Sequence, residues 1–209
     1  MNGGIILHSS EGPDEGYDQE KPQPVNAPVP FEKPAHGDHT AIDIQFDPQR
    51  RRMRGIAIHG DTDFDVPFMS HIDGHLWTGG CVKGLILPRH IEHVVSLYPW
   101  EAYRIHHEVR SFTAVRMYDE RGAVDAEQVI SVAAWVLECL RTGPTLVHCQ
   151  AGLNRSGMVA ATALVIGGMT PADAVALLRE RRSDAVLCNS SFESFVRLEL
   201  PRLLRERAA

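Results

Sequence analysis

What this chain lacks narrows it first. Only four of its 209 residues are cysteine (Cys81, Cys139, Cys149, Cys188), and no two form a C-x-x-C pair. That argues against a zinc ribbon and a disulfide-stapled scaffold, and it suits a reducing compartment. Long apolar runs are missing too. The longest uncharged apolar stretch, 157–169, is too short to cross a bilayer. No charged-then-apolar leader precedes Lys21, the first basic residue. The expectation is a soluble, cytoplasmic protein with no membrane partner. Positive charge is not in excess either: 21 Lys+Arg against 27 Asp+Glu leave −6, the wrong sign for gripping a nucleic acid backbone. What is present is ordinary globular material, 44% hydrophobic and 23% charged, enough for one domain with a sizeable core.

Prolines divide the chain. Seven of the 13 lie in the first fifty residues, and the run Pro22-Gln-Pro-Val-Asn-Ala-Pro-Val-Pro30 favours extended geometry with little to bury. Residues 1–53 are therefore expected to be a mobile, Pro-rich extension, with a proline-rich ligand as the minor alternative. The basic run 49–54 reads as a solvated linker or, less simply, as a phosphate contact. Residues 54–209 carry a globular pattern in which strands and helices alternate. Short strands are expected at 76–78 (followed by a Gly79-Gly80 turn), 94–97 and 112–118. A helix opens with the capping-box-like Asp125-Ala-Glu-Gln128 and keeps Val129, Val132, Ala133, Val136 and Leu140 on one face. Gly143-Pro144 ends it. Thr145-Leu-Val-His148 is a short apolar strand of the kind buried on both faces. Further helices are expected at 156–166, from the Thr170 cap to about 182, and at 190–207 with a kink at Pro201. The sum is α/β: a central, mostly parallel sheet flanked by helices.

The most informative turn joins strand 145–148 to helix 156–166: His148-Cys149-Gln150-Ala151-Gly152-Leu153-Asn154-Arg155-Ser156. A buried strand delivers Cys149 to the end of the sheet, and a helix begins a few residues later. The backbone N–H groups of 150–155 can then converge on one point, aided by the positive end of the helix. Such a cup binds phosphate. Gly152 permits a close approach that a side chain would hinder, and Arg155 can fork two hydrogen bonds to phosphate oxygens. The same donors favour a thiolate at Cys149, and Ser156 can hydrogen-bond the sulfur as it departs. The chemistry implied is phosphoryl transfer to sulfur and then to water.

At these residues the chain resembles the cysteine-dependent protein tyrosine phosphatase superfamily, whose signature is H-C-x-x-G-x-x-R-(S/T). Every fixed position is matched, by His148, Cys149, Gly152, Arg155 and Ser156. Over about 76–200 it is similar to the small dual-specificity members, which share a Leu-Trp-Thr-Gly-Gly opening, an Arg-rich helix end (Arg179-Glu-Arg-Arg182) and an Asn-x-x-Phe turn at Asn189. The resemblance implies a phosphorylated protein as substrate and no metal or organic cofactor. It also implies a general acid on a loop about thirty residues before the cysteine, where Asp119 stands, with Glu120 and Asp125 as competitors. Asn189 would either support the signature loop by a hydrogen bond or simply cap its helix. So compact a catalytic region implies a shallow cleft that accepts phosphotyrosine and also phosphoserine or phosphothreonine.

Related readings remain. An RNA 5′-triphosphatase of the same superfamily is suggested by Gly-Leu-Asn-Arg, but Ala151 stands where that branch has His, and the acidic charge disfavours RNA. A phosphoinositide phosphatase would place Lys in the loop, where Gln150, Ala151, Leu153 and Asn154 are uncharged. A non-catalytic phosphate-binding module would usually have lost the cysteine. Eleven histidines lack zinc spacing and read as surface or core residues. Cys81, Cys139 and Cys188 read as packed small hydrophobes, with a protective disulfide to Cys149 as the sharper alternative.

Overall fold

In a computed structural model the described residues are 43–208, apart from 58, 60 and 99. Two sheets make up the β structure. The first is an antiparallel meander of β1 (Gln45–Asp47), β2 (Arg52–Ala57) and β3 (Thr62–Pro67). The second has five strands: β4 (Met69–Asp73), β5 (Leu76–Gly80), β6 (His93–Ser96), β7 (Ser111–Ala114) and β8 (Thr145–Cys149), in the order β4-β5-β8-β6-β7. All neighbours in it run parallel except β4, which pairs antiparallel with β5. The central strand is β8, Thr-Leu-Val-His-Cys, buried at every residue. Burying Leu146 and Val147 there is worth roughly 1.5–3 kcal/mol each.

Helices α1 (Ala126–Leu140), α2 (Arg155–Ile166) and α3 (Pro171–Arg181) pack on this sheet, α2 against β8 and β5 and α3 against β4. Their starts follow the expected caps. The Asp125 carboxylate accepts from the Gln128 N–H at 3.0 Å, and the Thr170 hydroxyl accepts from the Asp173 N–H at 3.2 Å with Pro171 at the first helical position. The chain closes with α4 (Ser190–Ser194), a π turn (Phe195–Glu199) and α5 (Leu200–Ala208). The helix expected over 190–207 is thus interrupted by a π turn that ends two residues before Pro201. Proline has no N–H to give the preceding turn, and the Leu200 N–H reaches back five residues to the Phe195 carbonyl.

Three other expectations are revised. Gly79-Gly80 is not a turn but the end of β5. A Cβ on Gly80 would lie 2.6 Å from the Gln150 oxygen and 2.7 Å from the Met53 side chain, so the strand needs glycine to pack this closely. The strand expected over 112–118 stops at Ala114, and the backbone beyond it serves the site. The boundary expected at Arg54 falls inside β2. Met53 is wholly buried, and the basic run 49–54 forms the β1–β2 turn and enters the meander, with Arg52 on Asp65. The rest of the expected extension, including the Pro22–Pro30 run, lies outside the described residues. Among the described residues, no helix is long and apolar enough to cross a membrane.

Candidate active site

The turn from β8 into α2 forms a cup, and its carbonyls explain why. Each oxygen from 150 to 154 is bonded. The Cys81 N–H donates to Gln150 O (2.9 Å), the Leu187 N–H to Leu153 O (3.4 Å) and the Met158 N–H to Asn154 O (2.8 Å). Arg182 donates to Ala151 O at 2.7 Å and to Gly152 O. In a planar trans peptide the following N–H points the opposite way. Anchoring these five oxygens therefore turns the N–H groups of 151–155 to the other side, where the Gly152 N–H meets the Cys149 sulfur at 3.2 Å. Gly152 has φ +74°, and a Cβ there would run into the Gly79 backbone and Arg182. Its glycine is obligatory on both counts.

Around the sulfur, the Ser156 hydroxyl lies at 3.4 Å. Arg155 is 2% exposed, stacks over the Tyr98 ring at 5.0 Å and donates to Met117 O at 3.3 Å. Burial pushes the Cys149 thiol up; the Arg155 guanidinium and the Ser156 hydroxyl and N–H outweigh it, and the net direction is below the ordinary thiol value. The Asp119 carboxylate acts weakly the other way. His148 is buried beneath, its ring edge-on to Tyr103 and its Nδ1 donating to Cys149 O at 3.4 Å. Burial lowers its pKa to about 4, so the ring is neutral.

Asp119 sits on the loop after β7 and is fixed on several sides. The Asn154 Nδ2 donates to its Oδ2 at 3.1 Å, and the Asn189 Nδ2 donates to its Oδ1 at 2.9 Å. The amide orientation of Asn154 is dictated by its other end, because the Asn189 backbone N–H can only donate to Oδ1, at 3.0 Å. The Asn189 side chain caps α4, its Oδ1 accepting from the Ser191 N–H at 3.1 Å, while its Nδ2 reaches the acid loop and only its backbone N–H meets the signature loop. The competitors face elsewhere: Glu120 is exposed and Asp125 caps α1. Cys149, Arg155, Ser156, Asn154, Asp119 and Asn189 are thus brought together. Gln150, Ala151 and Leu153 contribute backbone to the cup while their side chains are buried.

In the sequence Arg182 stands out only as part of an Arg-rich helix end. This buried guanidinium donates to Ala151 O, Gly152 O, Pro67 O (3.2 Å), Ser70 Oγ (3.2 Å) and Thr78 O (3.4 Å). Burial lowers its pKa to about 10, leaving it cationic. A signal was available: Arg182 is the C-cap of α3, four residues after the buried Leu178, whose carbonyl accepts from its N–H. His59 was passed over entirely, and its Nε2 lies 3.5 Å from Asp119 Oδ1.

The remaining candidates are elsewhere. His93 bridges Ser111 (2.7 Å) and Thr142 (2.9 Å), and His71 and His90 flank the Trp77 ring at 4.9 and 4.8 Å. Among the described residues no three His, Cys, Asp or Glu side chains are grouped to hold a metal. No disulfide is formed; Cys81 and Cys139 are buried, and the half-buried Cys188 points its thiol at Asn154 Oδ1, 3.4 Å away.

Comparison with known proteins points to one family. The family model described as protein-tyrosine phosphatase matches residues 93–199. Over 40 residues the chain is 48% identical to "Probable protein tyrosine phosphatase type IVA A" of Dictyostelium discoideum, a match covering 19% of this chain and 24%, about a quarter, of that relative. Among solved structures it is similar to human DUSP28 (TM-score 0.56, 16% identity, 66% of this chain and 96% of that one). It is also similar to human tyrosine phosphatase-like serine/threonine/tyrosine-interacting protein (TM-score 0.53, 18% identity, 68% and 98%). At such identities these two likenesses speak for the fold.

Proposed function

The chain belongs to the protein-tyrosine phosphatase family, and from that premise we propose that it hydrolyses phosphotyrosine, and also phosphoserine and phosphothreonine, esters of proteins through a phosphocysteine intermediate. The observation that carries this reading is the sulfur of Cys149 held by the Gly152 N–H and the Ser156 hydroxyl in a loop whose carbonyls are all bonded outward. In the first step the thiolate attacks phosphorus. The S–P bond forms as the P–O bond to the leaving group breaks, and the leaving oxygen takes the proton of Asp119. Arg155 and the loop amides stabilise the charge spread over the phosphoryl oxygens. In the second step water attacks phosphorus and passes a proton to the Asp119 carboxylate. The S–P bond breaks, inorganic phosphate leaves, and the Ser156 hydroxyl donates to the returning thiolate.

Arg155 needs its planar fork for this role, and its place over Tyr98 pre-orients it. Asn154, which in sequence pointed towards the triphosphatase branch, is engaged with the acid instead. The deciding experiment offers phosphotyrosine peptide, phosphothreonine peptide, phosphoinositide and 5′-triphosphate RNA to the wild type and to Cys149→Ser. Phosphate release from the peptides by the wild type alone, with a radiolabelled phosphoenzyme trapped on acid quench, is the expected result. Preference for the lipid or RNA, or turnover by Cys149→Ser, would remove the reading.

A further inference from the structure

The β2–β3 hairpin lies outside the span matched to the family, yet it touches the loop that carries the acid. His59, between Ala57 and Thr62, is 18% exposed at its side chain. Its Nε2 hydrogen-bonds the main-chain oxygen of Asp119 and lies 3.5 Å from that residue's Oδ1. A carbonyl oxygen only accepts, so Nε2 carries the proton. Two residues on, the Arg121 guanidinium donates to the His59 main-chain oxygen at 2.6 Å. Hairpin and acid loop are therefore tied once in each direction. The base of the hairpin is anchored in turn under the cup. Met53 lies against Gly80, and Arg182, which holds Ala151 O and Gly152 O, also donates to Pro67 O at the end of β3.

We propose that His59 is a positioning residue for Asp119, transmitting the rigidity of the meander to the backbone from which the acid reaches over the cup. This rests on the reading of Asp119 as general acid. The two asparagines fix the carboxylate oxygens; His59 fixes the peptide that bears them. Without the ring, the loop after β7 loses a tie on its hairpin side, and its carboxyl samples orientations from which no proton reaches the leaving oxygen. Phosphate binding is spared, because His59 makes none of the hydrogen bonds of 149–156.

The test uses the whole chain and a series of aryl phosphates whose phenols differ in acidity. It compares wild type, His59→Ala, His59→Gln, Asp119→Asn and the His59→Ala/Asp119→Asn double variant. His59→Ala is expected to lower kcat about tenfold for the least acidic phenols, a part of the roughly 100- to 10,000-fold a placed acid supplies. For the most acidic phenols it changes little, and KM and vanadate inhibition stay put. Gln, whose amide N–H can replace the ring's, restores most of the loss. In the Asp119→Asn background His59→Ala costs nothing more. A loss uniform across phenols, a loss that persists without Asp119, or wild-type behaviour of His59→Ala would each overturn the proposal. Asp119→Asn separates the two levels: no steepened dependence on the phenol sinks the acid assignment and this proposal together, whereas a steep Asp119→Asn beside a flat His59→Ala sinks only His59.

Discussion

Replacing Arg182 with methionine keeps the length and apolar stem of a buried side chain and removes every donor. Five hydrogen bonds go with it, two of them to the carbonyls of Ala151 and Gly152 that shape the cup. Those two oxygens are buried under the loop, and a buried acceptor left without a donor costs about 1–3 kcal/mol. The pair therefore costs roughly 2–6 kcal/mol, against a total stability of roughly 5–15 kcal/mol. Part returns because a charge is no longer held in a site whose burial had lowered its pKa to about 10. For a domain of this size each kcal/mol moves the melting point by about 2–4 °C, so Arg182→Met should melt roughly 10 °C lower. The freed carbonyls can rotate inward, and each such rotation turns an N–H out of the cup. Turnover and vanadate affinity should fall together, and the Cys149 thiol should become less acidic as a neighbouring cation disappears. Calorimetric melting and vanadate inhibition decide it. A variant that melts within about 2 °C of wild type and binds vanadate normally would refute the claim that this guanidinium sets the shape of the loop.

Three further outcomes are expected. Gly152→Ala forces a side chain to φ +74°, at about 1–2 kcal/mol before its collision with the Gly79 backbone is counted; activity should drop at least tenfold, and unchanged kcat/KM would mean the loop is more pliable than described. Alkylation of Cys149 by iodoacetamide should persist below the ordinary thiol pKa of 9.0 and fade only as pH drops through its lowered value, with Ser156→Ala moving the inflection upward; an inflection at or above 9.0 in the wild type removes the thiolate. His148 titrates near 4 in the folded chain against 6.5 when free, so between these values the unfolded chain binds the extra proton and stability falls as pH falls. The difference between wild type and His148→Asn in urea should therefore narrow by up to about 3 kcal/mol from pH 7 to 4, and a difference independent of pH would contradict it.

The cup was legible because it is local: strand, loop and helix occupy consecutive residues, and each fixed position does a job that chemistry names. The caps of α1 and α3 were legible for the same reason. Asp119 came through resemblance, since nothing in its neighbours distinguishes it from Glu120; only the Asn154 and Asn189 amides do, and they arrive from 35 and 70 positions away. The meander was hidden by a three-residue strand in a stretch rich in proline and arginine. Gly79-Gly80 misled because glycine also marks turns, and here it marks the close passage of Met53 and Gln150. Arg182 was masked by company: Arg179, Arg181 and Arg182 look alike in sequence, and helical period alone separates the inward one.

The outward bonding of the loop carbonyls has a consequence for the newborn protein. Its anchors come from Cys81, Met158, Arg182 and Leu187, so a chain that has reached only Ser156 holds the whole signature and lacks three of the four residues that shape it. Only once Arg182, at the C-cap of α3, and the turn at Leu187 have docked are the Ala151, Gly152 and Leu153 carbonyls held away from the sulfur. The surroundings that favour the Cys149 thiolate are therefore completed by residues up to thirty-eight positions beyond it, and not by the signature alone.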